Sequence, residues 1–103
     1  MSKPILGIIG GGQLGSMLAT SAKKLNIKTF VFSDDKNAPA INFSDEFILG
    51  NYENEEKIKY FSDCIDFATF EFENIPYEIL NQINKIKPVF PKPSINRIIQ
   101  NRL

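Results

Sequence analysis

The feature that most limits what this chain can fold into is a run of glycines placed directly behind a short apolar segment: Ile5 to Ile9, then Gly10-Gly11-Gly12-Gln13-Leu14-Gly15. A compact apolar run closed by glycine reads as a strand buried on both faces, the kind found in parallel sheets. From Leu14 the period changes. Leu14, Met17, Leu18, Ala22 and Leu25 recur at helical spacing, which predicts an amphipathic helix with these residues as its apolar stripe, ending near Asn26 behind Lys23 and Lys24. Strand, glycine turn and helix together open a βαβ unit.

In that context the G-x-G-x-x-G pattern has a mechanical meaning. Glycine at 10 permits the tight turn, glycine at 12 leaves room for a ligand against the backbone, and glycine at 15 lets the helix pack close to the strand. The N–H groups at the helix start then favour an anion, usually a phosphate. A tight turn with no ligand is the alternative, although three consecutive glycines carry an entropic cost. A dinucleotide site would place an acidic residue at the end of the second strand. Here that place holds Phe32-Ser33, followed by Asp34 and Asp35. The aspartates fit either a ribose acceptor or a solvated turn.

Further along, Thr29 to Phe32 predicts a second strand, Ser33 to Pro39 a turn region, and Phe47 to Leu49 a third strand. Asn54 is placed to cap a helix through about Ser62, with Ile58 and Phe61 inward and Glu55 and Lys59 spaced as an i,i+4 pair. Ile65 to Phe70 predicts the fourth strand, and Pro76 the start of a helix burying Ile79, Leu80, Ile83 and Ile86. Val89 and Phe90 give a fifth strand. Ser94 begins a last helix with Ile95, Ile98, Ile99 and Leu103 in register. Strands alternating with helices predict an α/β, Rossmann-like three-layer domain with a mostly parallel sheet of about five strands. Its expected extent is residues 1–93, with 94–103 starting a helix that leads onward.

Composition agrees with one such domain and narrows its partners. A chain of 103 residues, 43% hydrophobic and 23% charged, has the balance of a globular protein. Twelve basic residues cancel twelve acidic ones, so no net field draws it to nucleic acid or an anionic membrane. With Cys64 alone and no histidine, an internal disulfide, the usual zinc sites and histidine-based catalysis are excluded. No metal site and a cytoplasmic location are therefore expected. No segment has the roughly 20 apolar residues of a spanning helix.

Ligands of open α/β sheets sit beyond the carboxyl ends of the strands, where the winding reverses. The strand ending at Phe70 is the expected neighbour of the first strand across that crevice. Beyond it, Glu71 and Glu73 in an extended backbone point to one side, about 7 Å apart, and suit hydroxyl or amino groups of a ligand whose phosphate rests on the glycine turn. Surface positions are the alternative, as is a cap by Glu73 and Asn74 on the helix near Pro76.

Three segments taken together, Gly10-Gly11-Gly12-Gln13-Leu14-Gly15, Phe70-Glu71-Phe72-Glu73-Asn74-Ile75-Pro76 and Gln100-Asn101-Arg102-Leu103, resemble the 5-(carboxyamino)imidazole ribonucleotide synthases. These are ATP-grasp enzymes of purine synthesis. The resemblance runs in order over essentially the whole chain. It implies the family's N-terminal pre-ATP-grasp domain, which helps bind aminoimidazole ribonucleotide (AIR). By motif, Gly10, Gly12, Gln13, Leu14 and Gly15 would hold the ribonucleotide, Glu71 and Glu73 would line its pocket, and Arg102 would be the first ATP contact. The resemblance assigns no catalytic and no metal-ligating residue to this chain. It further implies a full-length enzyme using ATP, magnesium and bicarbonate, compatible with a homodimer of the family's type. The ATP-grasp domains would be missing partners, so that no cofactor is expected to bind this chain tightly alone. Two positions depart from the pattern: Asn101 stands where aspartate is usual, and Ser16 where a basic residue is common. Two other functions stand as alternatives, a free-standing Rossmann-like nucleotide-sensing module and a truncated remnant without function.

Overall fold

The structure, a computed structural model, describes residues 4–10, 12–70 and 75–90, without the side chains of Gln13 and Leu14. Nine elements follow in order: β1 (Ile5–Ile9), α1 (Gln13–Lys24), β2 (Lys28–Ser33), a 3-10 turn (Pro39–Phe43), β3 (Glu46–Leu49), α2 (Glu55–Cys64), β4 (Phe67–Phe70), α3 (Tyr77–Asn84) and β5 (Val89–Phe90). Every strand pair is parallel, and the strand order is β3-β2-β1-β4-β5. The expected α/β fold is thus present. Its winding reverses at β1, the strand that feeds the glycine turn.

Alternation along the strands divides the core between two faces. On one, Ile9, Phe30, Phe32, Ala68 and Phe70 meet Ile58 and Phe61 of α2 and Ile79, Leu80 and Ile83 of α3. The Phe61 ring stands edge-on to Phe30 and Phe32, each 5.4 Å away between centroids, a favoured arrangement of aromatic quadrupoles. On the other face, Leu6, Ile8 and Val31 meet Ala19 and Ala22 of α1 and Ala40 of the 3-10 turn. Asn54 caps α2 as expected, accepting from the Lys57 N–H at 3.1 Å.

The buried stripe of α1 differs from expectation. Met17 is 59% and Leu25 72% exposed, while Ala19 and Ala22 are buried together with Gly15. Small residues at 15, 19 and 22, with Leu18 packed beside them, form the face that meets the sheet, because they let the helix axis lie close to it; Met17 and Leu25 project past the contact. Asn26 then adopts φ 63°, the left-handed position that commonly ends a helix.

Three smaller differences share a cause in local competition. Ile65 is buried, but as the residue closing α2, and β4 begins at Phe67. Ile86 is 42% exposed because α3 ends at Asn84, before Ile86 can join its buried face. The 3-10 turn between β2 and β3 was not expected, since Pro39-Ala40-Ile41-Asn42-Phe43 has no helical or strand period. The helix expected from Ser94, with Ile95, Ile98, Ile99 and Leu103, lies outside the described residues.

Candidate functional site

Gly10 leaves β1 with φ 96°, a left-handed conformation that costs any L side chain strain. Its N–H donates to the Phe32 carbonyl at 2.8 Å, so the turn begins while still tied to β2. Gly12 then caps α1 from extended backbone, φ −75° and ψ −160°, and its carbonyl accepts the first helical bond from Ser16 at 3.0 Å. Gly12, as the cap residue, has no side chain to bond this helix start, and the first turn carries no acidic residue. N–H groups in that position attract anions. The turn lies where the strand order reverses between β1 and β4, which is where open sheets of this class bind ligands.

Of the residues singled out from sequence, the structure brings Gly10, Gly12, Gly15 and the backbone of Gln13 and Leu14 to this strand-order switch. Glu71, Glu73 and Arg102 lie outside the described residues, as do Asn74 and Asn101. Ser33, at the position a dinucleotide site reserves for an acidic residue, is buried, and its hydroxyl accepts from the Asp35 N–H at 3.1 Å.

Sequence reasoning missed a cavity of about 560 Å³ beyond the carboxyl ends of β2 and β3, lined by Asp34, Gly50, Asn51, Tyr52, Glu53 and Pro76. A smaller hollow of about 300 Å³ shares Tyr52, Glu53 and Pro76 with it and reaches Glu78 and Gln82. No lysine or arginine is among the described residues lining either one. The available signal was local: Gly50-Asn51 directly after β3, with the Asn54 cap following, marks a tight loop at a strand's carboxyl end. That loop is held from several sides. The Gly50 N–H donates to Ser33 at 3.1 Å, the Lys57 ammonium to the Leu49 carbonyl at 2.6 Å, and the Glu53 N–H to the Asn51 side chain at 2.7 Å. The Tyr52 ring lies 5.5 Å from that of Phe32. Among the described residues no cluster of three or more cysteine, aspartate or glutamate side chains could hold a metal ion, and no helix is long and apolar enough to cross a membrane.

Comparison with known proteins adds to this geometry. The family model described as the ribonucleotide synthetase preATP-grasp domain matches residues 1–100. The N5-carboxyaminoimidazole ribonucleotide synthase of Staphylococcus epidermidis is 36% identical over 98 residues, covering 95% of this chain and 26% of that protein. The crystal structure of the corresponding synthetase from Thermus thermophilus superposes with TM-score 0.87 at 29% identity, over 92% of this chain and 26% of that one. A third, the N5-carboxyaminoimidazole synthase of Aspergillus clavatus in complex with ADP and 5-aminoimidazole ribonucleotide, gives TM-score 0.81 at 32% identity, over 95% of this chain and 26% of its own. The chain thus spans about a quarter of the length of these three relatives.

Proposed function

We infer the function from one premise: the chain belongs to the ribonucleotide synthetase preATP-grasp domain family. Its proposed role is the substrate-binding part of an ATP-dependent carboxylase of de novo purine biosynthesis. That enzyme would convert AIR, bicarbonate and ATP to 5-(carboxyamino)imidazole ribonucleotide, ADP and phosphate. The observation that carries the reading is the glycine-capped helix start at the reversal of strand order, in a chain that follows the family from residue 1 to 100.

The work assigned to these residues is binding and orientation. The 5′-phosphate of AIR rests on the N–H groups of Gly12, Gln13 and Leu14, where the helix dipole favours its charge. Glu71 and Glu73 accept hydrogen bonds from the amino end. ATP and magnesium are assigned to the three quarters of the relatives that this chain does not match, with Arg102 as its single ATP contact. Phosphoryl transfer depends on cations that neutralise the transferred group, and Arg102 alone is too few.

Gly12→Val tests the reading. Gly12 has φ −75°, on the side open to L residues, so the substitution does not meet the left-handed strain that one at Gly10 would and tests space at the turn. AIR at about 100 times its Kd should stabilise the wild-type chain by roughly 2.7 kcal/mol, visible as a raised Tm. Gly12→Val should melt like the ligand-free wild type and show no AIR-dependent rise. An equal rise in both proteins would place the ligand elsewhere.

A further inference from the structure

We propose that Lys57 is a strap on the loop between β3 and α2: its stem lies across Gly50, its ammonium holds the end of β3, and Gly50 is glycine to admit it. By the rules of its own helix Lys57 is misplaced. Asn54 caps α2, and Lys57 is the third residue after it, in the turn where Glu55 and Glu56 suit the positive end of the helix dipole. A cation there is unfavourable, and a capping box would place glutamate or glutamine at that position. Lys57 instead turns back along the chain and donates to the carbonyl of Leu49 at 2.6 Å, the last residue of β3. Because β3 is an edge strand, the ammonium supplies a donor at the open edge of the sheet, where lysine also discourages further pairing.

Gly50 fits this path. It lies outside the left-handed region of backbone space, so its conformation does not demand glycine. Space does: a Cβ there would collide with Lys57 Cδ and lie 3.0 Å from Nζ and 3.2 Å from Cε. The two residues form one device, a bare backbone with an aliphatic stem laid over it. What it holds is a wall. The Gly50 N–H donates to the Ser33 carbonyl at 3.1 Å, the Glu53 N–H to the Asn51 side chain at 2.7 Å and the Asn54 N–H to the Asn51 carbonyl at 3.0 Å. Gly50, Asn51, Tyr52 and Glu53 all line the larger cavity. With the ammonium on Leu49, the segment from the end of β3 to the first turn of α2 is closed by a side chain; without it, the bonds at Gly50 and Asn51 hold the loop alone. The strap thus orders one wall of the cavity before any ligand arrives.

The test is amide hydrogen exchange, read residue by residue, on wild type, Lys57→Met, Lys57→Ala, Gly50→Ala and the double variant Gly50→Ala/Lys57→Ala. Lys57→Met keeps the stem and removes the donor. The Gly50 N–H should then exchange about tenfold faster, the low end for losing a hydrogen bond to a charged group. The Gly10 N–H, held to the neighbouring Phe32 carbonyl, should keep its wild-type rate. The thermal melt should barely move, because taking a cation away from the helix start offsets the lost bond. Gly50→Ala should speed exchange of the Glu53 N–H when Lys57 is present, yet in the double variant that rate should stay within about twofold of Lys57→Ala. An unchanged Gly50 rate in Lys57→Met, or equal acceleration at Gly10 and Gly50, overturns the strap. A Gly50→Ala effect of the same size with and without Lys57 overturns the role given to Gly50.

Discussion

Gly7, in the middle of β1, shows how tightly α2 is set against the sheet, and Gly7→Ala should be costly for that reason. A Cβ there would lie 2.6 Å from Phe61 Cζ, 2.7 Å from Ile65 Cδ1 and 2.9 Å from Ile65 Cγ2, roughly 1 Å short of ordinary carbon contact. Neither neighbour has an easy retreat. Phe61 is fully buried with its ring wedged edge-on against Phe30 and Phe32, and Ile65 is 1% exposed. Overpacking of a dense core costs about 1–3 kcal/mol, and two blocked neighbours put this case at the upper end, about 3 kcal/mol. A domain of this size has only about 5–15 kcal/mol to lose, so Tm should fall by roughly 12–24 °C. Urea unfolding should show a lower midpoint at unchanged slope. Adding Phe61→Leu removes one of the clashing atoms, so the double variant should be less destabilised than the sum by about 1 kcal/mol or more. A Gly7→Ala chain that melts within about 2 °C of wild type, or strict additivity in the double variant, would refute the close packing described here.

Two further outcomes follow from the helix cap and from the assignment of ATP. Asn54→Ala removes the bond that Lys57 N–H makes at the start of α2 and should lower stability by about 1 kcal/mol, read as a reduced urea midpoint. The purified chain, incubated with ATP, magnesium, bicarbonate and AIR, should release no phosphate above a protein-free blank; ribonucleotide-dependent release that is lost in Gly12→Val would contradict the placement of the ATP site in the unmatched part of the relatives.

Legibility in the sequence followed how locally each feature is determined. β1 was readable because burial on both faces writes a continuous apolar run, and the turn after it because Gly10 and Gly12 stand at fixed offsets from the strand. The orientation of α1 was not. Periodicity found Leu18 and Ala22 but also gave Met17 and Leu25, which are exposed, and it passed over Gly15 and Ala19, whose value at the contact is their small size. Ile65 misled in a related way, since the same buried cluster can be entered from a helix end or from a strand. The cavity was hidden for a different reason. Asp34, the loop from Gly50 to Glu53 and Pro76 meet only because the order β3-β2-β1-β4 puts the ends of distant segments side by side, and no local pattern encodes that order.

The central claim, that the glycine turn receives a ribonucleotide and not a dinucleotide, is tested most directly by calorimetric titration of one preparation with AIR, ATP and NAD in parallel. The predicted result is saturable heat with AIR at one site per chain, none with NAD because Ser33 occupies the acidic position and is already engaged, and at most a weak response to ATP. Tight NAD binding with no response to AIR would contradict it.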